Sequence, residues 1–254
     1  MTVDPAVRAQ WASVAERYGH GWARATGPDL DWLVDSLAPG STDRALDVGA
    51  GAGHASLAVA PHVAEVVATD PTPEMLAVGA TLAAERGIAN IRFVEASAAS
   101  LPFDDGSFDL AFSRHSIHHW PDAAAGFREI RRVLRSGGRF VAVDLHAPDE
   151  EPVAAFLVAL ELLRDATHVR ALAPADWARL LDRAGFQVTF VRSWEIRHQT
   201  EAWLANTNPA PWRADAVRAL LREAPAAVRM RLEVTADGSS FRVGAGLVLG
   251  EVQR

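Results

Sequence analysis

Three glycines and two aspartates in the first third of the chain have the types and the spacing of a ligand site. Asp47 closes a short apolar run, and Asp70 closes the next one. Between them, glycines stand at every second position, at Gly49, Gly51 and Gly53. Glycine allows a tight turn and a close approach of the backbone to a ligand. A helical pattern then starts at Gly53, and the N–H groups of a helix start bind anionic groups, so the sequence predicts a cofactor cradle.

The residues around the glycines indicate which cofactor the cradle binds. A dinucleotide site has a glycine or alanine three residues after its second glycine, but His54 or Ser56 stands there, depending on which glycines are counted. The Asp47 carboxylate would repel a pyrophosphate and attract an ammonium or sulfonium group, as in S-adenosylmethionine. Asp70, about 20 residues beyond the first glycine, could accept hydrogen bonds from ribose hydroxyls. Either carboxylate could instead cap the turn or helix that follows it.

A second group of polar residues, "SRHSIHHW", follows the fourth expected strand. The carboxyl end of a strand in an open α/β sheet faces the ligand, and imidazole titrates near neutral pH. We therefore expect His115 and His118 to act as bases or orienting groups, and His146, after the fifth strand, as a second base candidate. As alternatives, His118 and His119 could bond the backbone, Arg114 could pair with an acid, and His146 could be structural. Metal sites need ligand geometry and usually a carboxylate, so no metal is predicted.

Four stretches follow one another in the order "ALDVGAGAGHASLAVAP", "VVATDPTPEML", "EASAASLPFDDGSFDLAFSRHSIHHWPD" and "FREIRRVLRSGGRFVAVD". They resemble the successive motifs of class I S-adenosylmethionine-dependent methyltransferases of the ubiquinone/menaquinone-biosynthesis type, over about residues 40–150. The resemblance implies an α/β fold: a doubly wound, mostly parallel seven-stranded sheet, with N-terminal cap helices and a helical insertion before the last strand. It also implies S-adenosylmethionine as cofactor and methyl transfer to an O, C or N atom of a small molecule.

The resemblance also implies contacts to the cofactor. Tyr18, which could equally be a packing residue, is matched to the methionine end, Met75 to the adenine, and the Ser113 carbonyl to the ammonium group. Ser97 stands where the family usually has an acid that accepts from the adenine amine, so that bond is expected to be weaker or water-mediated. The predicted cofactor set is Tyr18, Asp47, Gly49, Ala50, Gly51, Gly53, Asp70, Pro71, Met75, Ser97, Ala98 and Ser113.

Alternating strand and helix patterns favour parallel strands joined by right-handed crossovers. We expect one methyltransferase domain over 1–254, divided into cap helices (1–40), a cofactor-binding core (41–150) and a C-terminal half (151–254). Residues 199–234 have the periodicity of a mostly helical insertion, although 228–235 could equally be a strand. The insertion could cover the substrate as a lid or only protect the sheet edge.

Composition narrows the class of partner. The chain has 254 residues, no cysteine and a net charge of −7. Because phosphate binding needs clustered lysine and arginine, the charge disfavours a nucleic-acid surface. The sequence has no apolar run of 18 residues or secretion signal, so we expect no membrane contact and a cytoplasmic location. The oligomeric state stays open.

Three functions compete on the sequence alone. The first is the small-molecule methyltransferase. The second is a protein that binds S-adenosylmethionine but catalyses a non-methylating reaction or serves as a binding subunit. The third, an NAD(P)-dependent oxidoreductase, is disfavoured by Asp47 and by the missing third glycine.

Overall fold

The computed structural model describes residues 5–15 and 27–253, apart from the side chains of 5–7, 190 and 191. Its centre is a sheet of seven strands: β1 (Arg44–Val48), β2 (Glu65–Asp70), β3 (Ile91–Glu95), β4 (Phe108–Arg114), β5 (Leu134–Leu145), β6 (Phe186–Gln199) and β7 (Ser240–Val252). Their order in the sheet is β3-β2-β1-β4-β5-β7-β6. β1 to β5 are parallel, and β7 runs antiparallel to both its neighbours.

Helices connect these strands. Within the described residues they are α1 (Pro5–Ala12), α2 (Pro28–Leu37), α3 (His54–Val59), α4 (Pro73–Glu85), α5 (Ala123–Val133), α6 (Glu151–Arg164), α7 (Pro174–Arg183), α8 (Thr200–Thr207), α9 (Pro211–Arg222) and α10 (Ala226–Arg231). Short 3-10 turns lie at Ala60–His62 and Ile117–His119. No helix in this part of the chain is long and apolar enough to span a bilayer.

Both faces of the sheet are covered. On one face, α5 and α7 pack against the strands through Phe127, Ile130 and Trp177. On the other face, α2 and α3 do the same through Leu33 and Val59. The apolar residues of α5 recur at helical spacing, so one stripe of that helix faces the sheet. This arrangement confirms the doubly wound, mostly parallel sheet expected from the sequence.

The sheet reverses its strand order at β1, which places a crevice at the carboxyl ends of β1, β2 and β4. β1 lies between β2 and β4 and is parallel to both. Asp47 is paired with Ala68 of β2 and with Phe112 of β4, so these three strands end at nearly the same level. Such a switch point is where open α/β sheets bind ligands. Asp47, Asp70 and the histidine-rich loop after β4 all lie at this edge.

The boundary between α5 and β5 differs from what the sequence predicts. The pattern after Pro121 predicts a helix that is ended by the Gly137-Gly138 pair, but α5 ends at Val133, because Leu134 already pairs with Phe108 as the first residue of β5. A register shift then lets the chain rejoin the ladder at Arg139.

The helical insertion before the last strand is confirmed. α10 occupies the region that could have been a strand, since residues 226–231 are helical. The insertion packs with α6 and the start of β7 around a second core, which includes Leu157, Leu160, Trp203, Val217 and Phe241. β7 also extends beyond the end of β5, where Gly244 pairs with Glu195 of β6. The insertion therefore lies toward the carboxyl end of the sheet, and its role as a lid stays a prediction.

Candidate functional site

The glycine turn after β1 has a left-handed backbone. The φ angle is 74° at Gly49, 54° at Gly51 and 75° at Gly53, a region that residues with a Cβ rarely adopt. The amides of Gly49 and Ala50 donate to one carbonyl oxygen of β2 at 2.8 and 2.9 Å, which fixes the turn to the neighbouring strand. A Cβ on Gly49 would lie 1.8 Å from the hydroxyl oxygen of Ser116. The turn therefore needs glycine both for its dihedral angles and for its close packing against the loop after β4.

Asp47, the residue before the last one of β1, is a buried carboxyl group with a relative exposure of 1%. Its Oδ2 accepts a hydrogen bond from Ser56 Oγ at 2.7 Å, whereas its Oδ1 is buried and accepts none within the described part of the chain. Burial raises the pKa of Asp47 to about 7, and the neighbouring Asp70 carboxylate adds to the rise. A cationic ligand would stabilise the ionised form of such a group. Ser56, one of the residues in the place of a third glycine, thus holds this carboxylate.

Asp70 ends β2 and already contacts the glycine turn. Its Oδ2 accepts from the Gly51 amide at 2.8 Å, and its Oδ1 accepts from the Thr72 amide at 2.9 Å. Burial raises the pKa of Asp70 to about 6, against these two backbone hydrogen bonds, which lower it. A carboxylate has about four acceptor positions, and the Thr72 hydroxyl also bonds to Asp70, so part of this capacity remains for a ligand. Asp70 therefore shapes the turn and also keeps capacity to bind hydroxyl groups.

The other expected cofactor residues lie around this turn, except Tyr18, which is outside the described residues. Pro71 follows Asp70 directly and is half-buried. Met75 is buried in the first turn of α4, in a small core cluster that includes Ala52 and Leu57.

The loop after β3 and the end of β4 complete the expected cofactor set. Ser97 and Ala98 are half-buried in the loop after β3, where the Ser97 hydroxyl accepts from the Ala99 amide at 3.3 Å. Ser113 is fully buried near the end of β4, and its hydroxyl has no hydrogen-bond partner in the described structure. The structure thus places these residues at the same edge of the sheet as Asp47.

His118 and Asp144 form a buried acid–imidazole pair. His118 Nδ1 lies 2.6 Å from Asp144 Oδ1, and the His118 amide donates to Asp144 Oδ2 at 3.2 Å. Burial alone would raise the pKa of the Asp144 carboxyl, but the charge and hydrogen bond of His118 and the charge of His115 hold it well below its ordinary value. Asp144 is therefore ionised at neutral pH and accepts the Nδ1 proton. When His118 is neutral, this contact keeps the ring proton on Nδ1 and leaves Nε2 as the basic nitrogen.

His115 lies between two acids. Its Nε2 is 3.5 Å from Asp29 Oδ2, and its Nδ1 is 4.0 Å from Asp144 Oδ1. Arg114 Nε donates to the same Asp29 oxygen at 2.7 Å in a buried ion pair. Burial would raise the pKa of Asp29, but the hydrogen bonds from His115 and Arg114 outweigh burial and lower it strongly. Because Asp29 belongs to α2, this contact ties the start of α2 to the end of β4.

His146 lies with a different set of residues. Its Nε2 is 3.5 Å from Ser193 Oγ of β6, and a Cβ on Gly244 of β7 would lie 2.3 Å from its ring. Burial is the main cause that lowers the pKa of His146. The structure thus brings His118 and His115 together around Asp144, while His146 packs on the β6–β7 side.

The sequence analysis missed the polar loop between α6 and α7. Asp165 Oδ1 accepts from the Thr167 amide at 2.9 Å and from its hydroxyl at 2.7 Å. His119 Nδ1 lies 3.2 Å from the Thr167 carbonyl oxygen, and Trp11 of α1 packs edge-on against the His119 ring. His168 lies next to His118, with ring centroids 5.4 Å apart. A clue was present in "LRDATHVR", where three charged residues and a histidine follow an apolar helical stretch.

The residues present fit S-adenosylmethionine. The unpaired Oδ1 of Asp47 suits a positive group, and the remaining acceptor positions of Asp70 suit hydroxyls. Gly49, Gly51 and Gly53 add no side chain at alternate positions of the turn. The described residues contain no group of three metal-ligating side chains that could hold a metal ion.

Comparisons with known proteins agree with this geometry. The family model described as a methyltransferase domain matches residues 46–142. YcgJ of Bacillus subtilis, which is named an uncharacterized methyltransferase, is 36% identical over 190 residues, covering 75% of this chain and 75% of YcgJ. Its crystal structure matches with a TM-score of 0.86 at 32% identity, over 89% of this chain and 99% of that one.

Two further proteins show the range of the similarity. The ubiquinone/menaquinone biosynthesis C-methyltransferase UbiE of a Geobacter species is 33% identical over 56% of this chain and 64% of its own length. The [4+2]-cyclase SpnF has a TM-score of 0.61 at 20% identity, covering 89% of this chain and 81% of SpnF, which shows a shared fold. On the similarity to YcgJ and the matched domain, this chain belongs to the class I S-adenosylmethionine-dependent methyltransferases.

Proposed function

We propose that this protein binds S-adenosylmethionine at the glycine turn and methylates an O, C or N atom of a small molecule. The observation that carries the cofactor assignment is the buried Oδ1 of Asp47, which lacks a hydrogen-bond partner in the described structure. A buried carboxylate oxygen that accepts no hydrogen bond makes the folded state less stable unless a cation or a donor reaches it. The positively charged methionine part of the cofactor is such a partner.

The roles of the individual residues follow from their positions. Asp47 would bind the positive end of the cofactor together with the Ser113 carbonyl, and Asp70 would bind the ribose hydroxyls. Ser97 and Ala98 would line the adenine, with Met75 and Pro71 beside them. When bound, S-adenosylmethionine supplies a methyl group activated by the adjacent sulfonium charge. The protein then has to align the acceptor with that methyl group and exclude water.

His118 is the group we propose for proton removal when the acceptor is a hydroxyl or an enol. S-adenosylmethionine would supply the methyl group, and the electron pair of its carbon–sulfur bond would stay on sulfur. Nε2 of His118 would take the acceptor proton and later release it to water. Asp144 stabilises the imidazolium through the 2.6 Å contact to Nδ1. His115 is proposed as an orienting group because it links Asp29 to Asp144, and His146 is a weaker base candidate because it lies on the β6–β7 side.

A small-molecule acceptor is favoured by charge. The net charge of −7 disfavours a long polyanion such as DNA or RNA. The charge on sulfur disappears during transfer, so a strongly anionic acceptor pocket would stabilise the reactant more than the transition state. Four acids at this edge lie within 4.0 Å of a basic or imidazole group, namely Asp29, Asp144, Glu161 and Asp165. Asp47 and Asp70, which we assign to the cofactor, have no such ion pair among the described residues.

Calorimetry of the purified protein with S-adenosylmethionine, S-adenosylhomocysteine and NADH tests the cofactor assignment. We expect binding of the first two and none of NADH, and the reverse result would contradict the proposal. Release of S-adenosylhomocysteine on incubation with a panel of phenols, enols and amines tests methyl transfer.

A non-methylating role is the second candidate, because the [4+2]-cyclase SpnF shares the fold. The cradle and the acceptor site use different residues, so the cofactor could be bound without transfer. Conversion of a substrate without release of S-adenosylhomocysteine would favour this candidate.

A further inference from the structure

His168 is a buried histidine that the proposed reaction does not use. It lies in the loop between α6 and α7, and its relative exposure is 4%. Neither of its ring nitrogens has a hydrogen-bond partner within the described residues. Buried polar atoms are nearly always paired in folded proteins, so two open nitrogens on one ring call for an explanation.

The loop that carries His168 is fixed to His118. The amides of Val169 and Arg170 donate to the His118 carbonyl oxygen at 2.9 and 3.2 Å. The rings of His118 and His168 are inclined by only 31°, with centroids 5.4 Å apart. Asp165 holds the other end of the loop through its two hydrogen bonds to Thr167. His168 is therefore positioned beside the proposed base by backbone contacts and not by contacts of its own ring nitrogens.

The charges around His168 indicate what its nitrogens can bind. Burial lowers the pKa of His168 to about 4, although the Glu161 carboxylate opposes this, so the ring is neutral at pH 7. A neutral imidazole offers one N–H donor and one lone pair. The charged and titratable groups that face it are Glu161, Arg164, His118, His119 and Asp144.

These neighbours disfavour an anionic ligand group at His168. Arg164 is already engaged, because its Nη2 and Nε donate to Glu161 Oε2 at 2.8 and 3.1 Å. The other Glu161 oxygen, Oε1, is buried without a hydrogen-bond partner in the described structure, and it would repel a second anion. A neutral hydroxyl, which can donate to or accept from one of the two His168 nitrogens, meets no such repulsion.

We propose that His118 and His168 together form the acceptor site, and that the acceptor is a neutral molecule with two neighbouring hydroxyl groups. This inference rests on the proposed function and adds the substrate class to it. His118 receives the hydroxyl that is methylated, and His168 binds the second hydroxyl. His168 is then a specificity-determining residue, because the second hydroxyl pairs one of its nitrogens and a substrate without that hydroxyl pairs neither.

Binding of three probe compounds tests this proposal. Catechol has two neighbouring hydroxyls, phenol has one, and salicylate replaces one by a carboxylate. Each is titrated calorimetrically into the protein with and without S-adenosylhomocysteine. The variants are His168→Phe, which keeps a ring without nitrogens, and His168→Gln, which keeps a donor and an acceptor. The control is His198→Phe, because His198 is a buried histidine that packs on Trp203 and Phe241 in the second core.

We expect catechol to bind the wild type about 10- to 100-fold more tightly than phenol. This is the loss of affinity expected when one buried polar group is left unpaired. Salicylate should bind more weakly than catechol. His168→Phe should bring the ratio of the catechol affinity to the phenol affinity close to one. His168→Gln should keep part of the wild-type preference for catechol, and His198→Phe should keep all of it. Because its open nitrogens contribute nothing to folding, His168→Phe should unfold at the same or a higher temperature than the wild type.

Several results would overturn the proposal. The wild type could bind catechol and phenol equally well, or His168→Phe could leave the ratio of the two affinities unchanged. Salicylate could bind most tightly of the three probes, or none of the three could bind. A lower Tm for His168→Phe would also overturn it, because it would mean that the nitrogens are paired within the folded protein. If S-adenosylhomocysteine fails to bind while the catechol preference depends on His168, the cofactor proposal fails and this inference stands.

Discussion

Replacing Asp47 by asparagine should stabilise the protein without cofactor and weaken cofactor binding. The ordinary pKa of an aspartate is about 3.9, and burial raises that of Asp47 to about 7. Because the unfolded chain loses this proton at lower pH than the folded chain, folding becomes less favourable as the pH rises from about 4 to about 7. A difference of roughly three pKa units corresponds to at most about 4 kcal/mol at pH 8.

The asparagine keeps an oxygen for Ser56 but leaves a buried amide N–H unpaired, which costs about 1–3 kcal/mol. The net expectation at pH 8 is therefore a gain of about 1–3 kcal/mol in the free energy of unfolding of Asp47→Asn relative to the wild type. At pH 5 the wild-type carboxyl is largely protonated in the folded state, so the difference should fall close to zero.

Urea unfolding at pH 5 and pH 8 without cofactor measures this difference. Asp182→Asn is a matched control, because Asp182 is an exposed aspartate of α7, and it should show no such pH dependence. Calorimetry with S-adenosylmethionine should show at least about tenfold weaker binding to Asp47→Asn. A variant that is less stable than the wild type at pH 8, or that binds the cofactor equally well, would refute the electrostatic role assigned to Asp47.

Further predictions concern the same edge of the sheet. The affinity of the wild type for S-adenosylmethionine should fall as the pH drops from 8 to 6, because Asp47 takes up a proton near pH 7; a flat calorimetric profile would contradict this. Asp144→Asn should lower kcat about 10- to 100-fold for a hydroxyl acceptor, since His118 loses its charged partner; an unchanged kcat would remove His118 as the base. Gly49→Ala should reduce both thermal stability and cofactor affinity, because of the positive φ and the clash with the loop after β4; equal Tm values would contradict it. Asp29→Asn should lower the Tm, since it removes the buried ion pair between Asp29 and Arg114; an unchanged Tm would show that this pair is dispensable.

Sequence patterns predicted the strands and the glycine turn at this edge because the signals for each element are local. The glycine spacing, the acids that close β1 and β2, and the periodicity of α5 each lie within a few residues of the strand or helix that positions them. Periodicity and turn chemistry describe such segments directly. The same logic placed His115 and His118 at the carboxyl end of β4.

The partners of these side chains could not be predicted in the same way. Asp29 contacts Arg114, which is 85 residues away in sequence, and Asp144 contacts His118, which is 26 residues away. The loop of His168 reaches His118 from a helix connection that carries no motif. Such pairs depend on how helices pack across the sheet, and no local pattern of one sequence records that packing.

The position of β7 between β5 and β6 has a consequence for how the chain folds. Among the described strands, β6 forms its ladder with β7 alone, yet residues 200–239 separate the two in sequence. During synthesis β6 therefore leaves the ribosome before the strand that it pairs with. Its backbone amides lack their ladder hydrogen bonds until β7 has also emerged. A nascent chain that is halted before residue 240 should expose this strand to chaperones or to self-association, even though β1 to β5 can already pair.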